Sequence, residues 1–244
     1  MIDLHCHILP GLDDGALDID DSVAMARQAE RDGIAVICAT PHIRHDHDVR
    51  IEEIAERVSA LQHQLDAHGV RVRVLPGAEV AASEAEDLTP AQLRLAALGG
   101  AGGWVLLEPV PGPLQAGLEA LVARLAGRGV RSVIAHPERH AGEDLRERLQ
   151  GLAASGALIQ WTAAFIADAP DGGIVMDLAR EGLVHLLGSD AHSSRAGRPV
   201  ALSAGCARLA RVRTPEQMRW TVELAPGAIV RGEPLSPPPQ AAPA

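Results

Sequence analysis

Short apolar runs alternate with stretches of helical periodicity along most of the chain. The apolar runs lie at about 2–5, 34–39, 71–75, 104–107, 130–135, 157–160 and 183–187, and their lengths are typical of buried strands. Helical periodicity is clearest over 51–65, where apolar residues recur at spacings of three and four until Gly69. Further helices are predicted at 18–31, 114–125, 144–154, 200–211 and 215–223, with a broken helix within 83–98. The pattern predicts seven strands alternating with helices.

This alternation determines the predicted fold class, which is α/β. Parallel strands joined by helices require right-handed crossovers. The number of repeats favours a closed or nearly closed seven-stranded barrel over an open sheet. We expect one domain over residues 1–233. Residues 234–244 are rich in proline and alanine and have no core-forming pattern, so they are predicted to be a disordered tail.

Side chains that bind metal ions follow most of the strands at their carboxyl ends. Six of the seven strands end in, or run directly into, histidine, aspartate or glutamate, and in a barrel of parallel strands these ends share one rim. The candidate ligands are His5, His7, Asp14, His42, Glu79, Glu108, His136, Asp190 and His192. At three or four ligands per ion, the set predicts two or three divalent metal ions with a bridging carboxylate.

The ligand types indicate the metal and the chemistry. Mixed imidazole and carboxylate ligands suit Mn, Fe or Zn. Such ions lower the pKa of a bound water from ~15.7 towards ~7, and they hold the oxygens of a phosphate group during in-line attack. We therefore expect hydrolysis of a phosphate ester by a metal-bound hydroxide, without a covalent intermediate on the enzyme.

Composition narrows the partners and the location. The formal net charge is −10, aromatic residues make up 2% and tyrosine is absent, which disfavours binding to nucleic acids or to anionic membranes. The cysteines Cys6, Cys38 and Cys206 are widely spaced and odd in number, as expected in a reducing compartment without disulfides. No apolar run approaches the ~20 residues that span a bilayer, and the N-terminus lacks a signal-peptide pattern. We expect a cytoplasmic protein.

Successive motifs along the chain resemble the PHP (polymerase and histidinol phosphatase) superfamily of metallohydrolases. The motifs are Asp3-Leu4-His5-Cys6-His7, Ala39-Thr40-Pro41-His42, Gly77-Ala78-Glu79, Glu108, Ala135-His136-Pro137-Glu138-Arg139 and Ser189-Asp190-Ala191-His192. The loop Leu9-Pro10-Gly11-Leu12-Asp13-Asp14-Gly15-Ala16 resembles the manganese-dependent protein-tyrosine phosphatases of bacterial capsule and exopolysaccharide operons. The resemblance covers about residues 1–230 and implies a distorted seven-stranded (β/α)7 TIM-like barrel.

The same resemblance implies roles for single residues. It places one ion on His5, His7, Glu79 and Asp190, a second on Glu79, Glu108 and His136, and a third on Asp14, His42 and His192, with Glu79 as the bridge. Arg139 and Arg198 match arginines that hold the substrate phosphate, a task that suits a planar guanidinium. For Arg139, an ion pair with Glu138 or Glu143 at the surface is the alternative.

The resemblance also implies a metal and partners. Mn is the expected metal, with Fe and Zn as alternatives. The expected partner is a phosphotyrosine-bearing bacterial tyrosine kinase that controls capsule synthesis. Gln28 and Arg31 resemble a motif through which members of this branch assemble into a ring; an ordinary polar pair on a solvated helix face is the alternative.

Other functions remain open at this point. Histidinol-phosphate hydrolysis would use the same metal cluster, and a non-catalytic metal-binding scaffold in polysaccharide export would keep it without turnover. A nuclease is disfavoured by the acidic chain. Cys38 and Arg44 have the spacing of a cysteine-based phosphatase, but Cys38 lies in an apolar run and Pro41 removes a backbone donor from the intervening loop.

Two further features have no predicted catalytic role. The sixth predicted strand ends in Gln160-Trp161-Thr162, where relatives tend to place a small polar residue such as Asn. We expect Trp161 to pack under the next helix rather than shape the substrate mouth. His45 and His47 lie in a polar segment after His42 and are predicted to be solvated or to belong to a lid rather than to bind a fourth metal ion.

Overall fold

Nine short strands, all paired in parallel, form the centre of the computed structural model, which describes residues 1–140 and 142–239. The strands are β1 (Ile2–Cys6), β2 (Val36–Ala39), β3 (His42–Ile43), β4 (Arg73–Pro76), β5 (Glu79–Ala81), β6 (Trp104–Glu108), β7 (Arg131–Ile134), β8 (Leu158–Thr162) and β9 (Leu186–Gly188). The α/β class with parallel strands is confirmed.

The strands form two sheets rather than one continuous seven-stranded sheet. One sheet has the order β1-β2-β4 and the other, a half-barrel, has the order β3-β5-β6-β7-β8-β9. Two-residue breaks separate β2 from β3 and β4 from β5. At the first break Pro41 lacks the N–H that would continue the ladder. On the far side, β1 and β9 approach through a parallel bridge between Cys6 and Ala191.

Ten α-helices are found in the described residues and cover the strands. They are α1 (Ile19–Asp32), α2 (Ile54–Ala67), α3 (Pro90–Ala96), α4 (Leu118–Gly127), α5 (Leu145–Ala154), α6 (Ala163–Ala167), α7 (Ile174–Arg180), α8 (Ser203–Leu209), α9 (Pro215–Arg219) and α10 (Ala225–Arg231). Short 3₁₀ turns occur at Ile51–Glu53, Leu98–Gly100 and Pro137–His140, and a π-helical turn at Trp220–Leu224 joins α9 to α10. Asp18 caps α1 by accepting from the Asp21 amide, and Gly33 ends it at φ 83°.

Side chains from the strands pack into two apolar clusters. Alternate residues of β6 divide between them: Val105 and Leu107 belong to the larger cluster, whereas Trp104 and Leu106 belong to the smaller one. Such a division is expected when both faces of a parallel sheet are buried. The strands are therefore fixed from both sides, and their carboxyl ends are held in place.

Several predicted boundaries change in the structure. The predicted strand at 183–187 is found at 186–188, and the predicted helix at 200–211 is shortened to 203–209. Within 83–98 only α3 is an α-helix, started by a capping box between Thr89 and Gln92. β3 and β5 were not predicted. No helix among residues 1–140 and 142–239 has the length and apolar character needed to cross a membrane.

The described part of the predicted tail contacts the body of the protein. Trp220 donates its indole N–H to the Ser236 carbonyl at 3.0 Å, and Gln217 donates to the Pro239 carbonyl at 3.3 Å. Residues 240–244 lie outside the described residues. The domain boundary at 233 and the disorder of the tail stay predictions.

Candidate metal centre

The carboxyl ends of the strands bring all nine candidate metal-binding side chains into one cluster. Four overlapping groups have ligand atoms within 4.8 Å of one another. They are His7 with Asp14, His42 and His192; His5 with His7 and Asp190; His5 with Glu79 and His136; and His42 with Glu79 and Glu108. The first group contains the whole set implied for the third ion, and the second contains three of the four residues implied for the first ion, whereas Glu108 and His136 fall in different groups. The assignment of residues to individual ions stays a prediction.

Glu79 lies at the centre of the cluster. Its Oε2 is 3.3 Å from His5 Nε2, 3.3 Å from His7 Nε2 and 3.1 Å from His42 Nδ1. Its other oxygen, Oε1, is 2.8 Å from His136 Nε2. A carboxylate with imidazole nitrogens around both oxygens has the geometry that a bridging metal ligand requires.

Buried polar atoms without a hydrogen-bond partner converge in the cluster. Among the described residues they include Glu79 Oε2, Asp190 Oδ1, His42 Nδ1 and His136 Nδ1. Buried polar atoms are almost always satisfied, because leaving one unpaired costs about 1–3 kcal/mol. Three of these four, Glu79 Oε2, Asp190 Oδ1 and His42 Nδ1, face other ligand atoms at 3.1–3.8 Å. The donor set therefore fits divalent metal ions.

Two side chains outside the predicted set orient the histidines. The Nδ1 of His7 lies 2.8 Å from Asp13 Oδ2, and the Nδ1 of His5 lies 2.8 Å from Gln160 Oε1. When Nδ1–H donates to these oxygens, Nε2 is left unprotonated and faces the cluster, which is the tautomer that binds metal. Asp13 also accepts from the amides of His42 and Gly15. Sequence reasoning missed both orienting residues, although Asp13 adjoins a predicted ligand.

The backbone is irregular where the ligands leave their strands. His136 has φ 29° and Asp190 has φ 49°, values that side chains with a Cβ rarely adopt. The register between β1 and β2 shifts between Asp3 and Cys6, and such a bulge re-aims side chains. Asp3 is fully buried beneath the cluster and accepts from the amides of His5 and Ser189. Burial raises the pKa of Asp3 to about 6, against the lowering effect of its hydrogen bonds from Ser189.

The cluster balances charge internally. Burial alone would raise the pKa of Glu79, but the neighbouring His5 charge and hydrogen bonds from His136 and His5 hold it well below its usual range. Burial lowers the pKa of His42 to about 4, although the Glu79 charge opposes this. Burial also raises the pKa of Glu108, as does the charge of Glu79. Glu79 is thus an ionised carboxylate beside a neutral His42 imidazole, the protonation states in which both bind metal. Burial alone would lower the pKa of His5, but the charges of Glu79 and Asp190 raise it, so a metal ion bound to His5 would displace a proton.

Three arginines surround an open cavity of about 460 Å³ above the cluster. Arg139 forms an ion pair with Asp190 rather than with Glu138 or Glu143. Arg198 donates from Nη2 to Asp190 Oδ2 at 2.8 Å and also to the Asp190 carbonyl. Arg44, which sequence reasoning did not select, donates to Glu108 at 3.1 Å. The cavity therefore combines a metal-binding floor with guanidinium groups at its mouth.

Helix α1 holds the loop that carries Arg198. Asp21 is fully buried and accepts from Ser193 Oγ at 2.8 Å and from the Ser194 amide at 2.9 Å. Gln28 accepts from the Val200 amide and donates to the Ser194 carbonyl. The Gln28 side chain is therefore engaged within this chain, whereas Arg31 is exposed.

The remaining predicted features have clear positions. Trp161 is fully buried and donates to the Leu183 carbonyl at 3.1 Å, so it packs rather than shapes the mouth. His45 is exposed beside Glu84, whereas the His47 ring stacks on His42 with centroids 5.0 Å apart. Cys38 is buried, and burial raises the pKa of its thiol to about 12, which excludes a thiolate nucleophile at neutral pH.

Comparison with known proteins identifies the family. The model of the family described as capsular polysaccharide synthesis, CpsB/CapC, matches residues 1–228. The chain belongs to the CpsB/CapC family. It is 35% identical over 202 residues to tyrosine-protein phosphatase YwqE of Bacillus subtilis, covering 79% of this chain and 78% of that one. It is 24% identical over 168 residues to tyrosine-protein phosphatase CpsB of Streptococcus agalactiae, covering 68% and 69% of the two chains.

A solved structure supports the same placement of this CpsB/CapC chain. The structure comes from work on YwqE of Bacillus subtilis and CpsB of Streptococcus pneumoniae, described as unique metal-dependent tyrosine phosphatases. The TM-score is 0.82 at 28% sequence identity, and the match covers 100% of both chains. The fold is thus shared with a protein from work described as concerning metal-dependent tyrosine phosphatases.

Proposed function

We propose that this chain is a metal-dependent phosphomonoesterase that removes phosphate from tyrosine side chains. The observation that supports this most directly is the cluster itself: nine imidazoles and carboxylates, with Glu79 at their centre, lie below a cavity that has arginines at its mouth. An anionic ligand in this cavity would meet Arg139 and Arg198 on one side and the cluster on the other. The relatives YwqE and CpsB, named as tyrosine-protein phosphatases, point to the same activity.

The nine ligands would hold two or three divalent ions, with Mn as our first choice and Fe or Zn as alternatives. Glu79 would bridge two of them, because it has imidazole neighbours at both oxygens. When bound, the ions supply a water of lowered pKa and neutralise charge on the phosphate oxygens. Asp13 and Gln160 would fix the ring orientations of His7 and His5.

The arginines would bind and orient the phosphate. A planar guanidinium donates two parallel hydrogen bonds to a phosphate and stabilises the charge that develops during transfer. Arg139 and Arg198 both contact Asp190, so both guanidinium groups are held beside the cluster. A phosphate that replaced Asp190 as the partner of these arginines would accept hydrogen bonds from both guanidinium groups.

We propose as substrate the phosphotyrosine segment of a bacterial tyrosine kinase that controls capsule or exopolysaccharide synthesis. The CpsB/CapC family membership supports this choice. Ring assembly through α1 remains part of the proposal, with the exposed Arg31 as the contact that α1 still offers. A closed seven-stranded barrel is the finer description of the fold that we favour, because β2 pairs with β4 and β3 pairs with β5 in parallel at the same offset, and a parallel bridge joins Cys6 to Ala191.

The test compares two substrates on the full chain, stripped of metal and reloaded with Mn. A phosphotyrosine peptide should be hydrolysed much faster than histidinol phosphate. The reverse preference would move the protein to histidinol-phosphate hydrolysis. Metal binding without turnover of either substrate would support the scaffold.

Two variants test the site. Glu79→Ala should abolish turnover and lower the metal content, whereas Glu56→Ala, at an exposed position on α2, should change neither. Arg139→Ala should keep the metal content and lose activity by about a hundredfold or more, as expected for a group that stabilises transferred charge. Full activity in Glu79→Ala would contradict the bridging role.

A further inference from the structure

A second cavity lies at the opposite end of β9 from the metal centre. Its volume is about 570 Å³, and it is bordered by the end of α7, the segment 211–214 and the tail residues 238–239. His185, which directly precedes β9, lines it, whereas the Asp190 cluster follows the other end of that strand. Because all strands are parallel, this cavity is on the amino-terminal side of the sheet and is separate from the metal centre.

Arg213 is a cavity-lining guanidinium with no carboxylate partner among residues 1–140 and 142–239. It donates from Nε and Nη2 to the Ala179 carbonyl and from Nη1 to Thr221 Oγ1. A guanidinium has five N–H donors, so two are left. Burial lowers the pKa of Arg213 to about 10, because no anion compensates the lost hydration. A partly buried cation of this kind is stabilised by an anion.

Two other side chains add donors to the same cavity. His185 Nδ1 accepts from the Ile159 amide at 3.0 Å, so a neutral His185 carries its proton on Nε2, where it has no acceptor among the described residues. Burial, followed by the Arg213 charge, lowers the pKa of His185 to about 4, which keeps the ring neutral at pH 7. Thr214 Oγ1 accepts from the Gln217 amide, and its hydroxyl hydrogen has no acceptor in the described part of the chain.

The neighbouring arginines, unlike Arg213, have carboxylate partners among the described residues. Arg180 pairs with Asp177 at 2.8 Å, and Arg211 pairs with Asp171 at 3.0 Å. The one carboxylate that lines the cavity, Glu181, pairs with Arg146. In a protein of net charge −10, the residues that line this cavity thus carry four donor hydrogens without acceptors among residues 1–140 and 142–239, two on Arg213 and one each on His185 and Thr214.

We propose that this cavity binds the phosphate group of a small phosphorylated molecule, with Arg213, His185 and Thr214 as the donors. A tetrahedral phosphate has several acceptor oxygens and so can be met by donors from several directions. The cavity is larger than a phosphate group, and its walls include Trp220 and Pro238, which leaves room for an organic portion. The proposal does not depend on phosphatase activity.

The experiment is calorimetric titration of the metal-loaded full chain with inorganic phosphate and, separately, with citrate. The wild-type chain should show two classes of phosphate site, one of which disappears in Arg139→Ala and the other in Arg213→Gln. Loss of a charged hydrogen-bonding group weakens a ligand about tenfold or more. The matched control Arg219→Gln removes the same charge from an exposed arginine that is paired with Glu223 and does not line the cavity, and it should change the affinity less than about twofold.

Arg213→Lys is a second variant for the case that Arg213→Gln does not fold, because lysine keeps the positive charge and a donor for the Ala179 carbonyl. It should still weaken phosphate binding several-fold, since the planar fork is lost. Phosphate binding that is unchanged in Arg213→Gln would overturn the proposal. Equal weakening by Arg219→Gln would mean that general surface charge causes the effect, and it would also overturn the proposal. Binding of citrate but not phosphate, dependent on Arg213, would overturn the choice of phosphate.

Discussion

Removal of the Asp21 carboxylate should both destabilise the fold and impair phosphate binding. Asp21 is fully buried and accepts from four donors: the amides of Leu17 and Ser194 and the hydroxyls of Ser193 and Ser194. In Asp21→Ala the hydroxyls can turn towards other acceptors, but the two amides lose their partner. At about 1–3 kcal/mol for each unsatisfied group, and with partial access of water, we expect a loss of about 2–4 kcal/mol.

The pH dependence of this loss follows from the pKa of Asp21. Burial alone would raise this pKa, but hydrogen bonds from Ser194, Leu17 and Ser193 lower it to about 2. A carboxylate whose pKa is lower in the folded state stabilises the fold above its unfolded pKa of 3.8, and the effect is lost as the pH falls towards 2. The difference between wild type and Asp21→Ala should therefore be constant from pH 7 to pH 5 and narrow below pH ~4.

Urea unfolding measures the free energy, and steady-state kinetics with a phosphotyrosine peptide measure the functional effect. Because Asp21 anchors the loop of Arg198, kcat/KM should fall by about tenfold to a hundredfold, as displacements of about 1 Å in a positioning group cause. The control Asp20→Ala removes an exposed carboxylate from the same helical turn and should cost less than about 1 kcal/mol. Equal losses in the two variants would refute the anchoring role.

Three further changes test other parts of the structure. Gln160→Leu removes the acceptor that fixes His5 and should weaken metal binding about tenfold to a hundredfold in a chelator competition; unchanged affinity would contradict this. His185 has a folded pKa of about 4 against 6.5, so its contribution is complete above pH 6.5 and is lost as the pH falls towards 4. His185→Phe should therefore have a flatter stability profile than wild type between pH 7 and pH 5 in urea unfolding, and parallel profiles would argue against a buried neutral ring. Leu149→Ala, at a fully buried position on α5, should cost about 2–5 kcal/mol in urea unfolding while the activity per folded molecule is retained, and a loss of less than about 1 kcal/mol would contradict its burial.

The sequence predicted the long elements well and the short ones poorly. The strands at β6, β7 and β8 were recognisable because both of their faces are buried, which leaves unbroken apolar runs. β3 and β5 have only two and three residues and follow Pro41 and Gly77, so they read as loop. Their pairing depends on the neighbouring strands rather than on local periodicity.

The candidate site, too, could be predicted only in part. Ligand types at strand ends were visible in the sequence, and the structure brings those side chains together. The contacts that orient them were not visible, because Gln160 and His5 lie 155 positions apart, and Arg44 was considered only for its spacing from Cys38. The partners of a side chain from a distant strand depend on tertiary geometry, which composition and spacing do not contain.

The two breaks, between β2 and β3 and between β4 and β5, limit which insertions and deletions the protein can accept. Ala39 pairs with Pro76 before the breaks, and His42 pairs with Glu79 after them, so the offset is 37 positions on both sides. His42 and Glu79 face one another only because the two breaks are equally long. An insertion in one break would turn its ligand to the opposite face, and a matching insertion in the other would restore the pairing. The two segments are therefore expected to accept insertions and deletions only in concert.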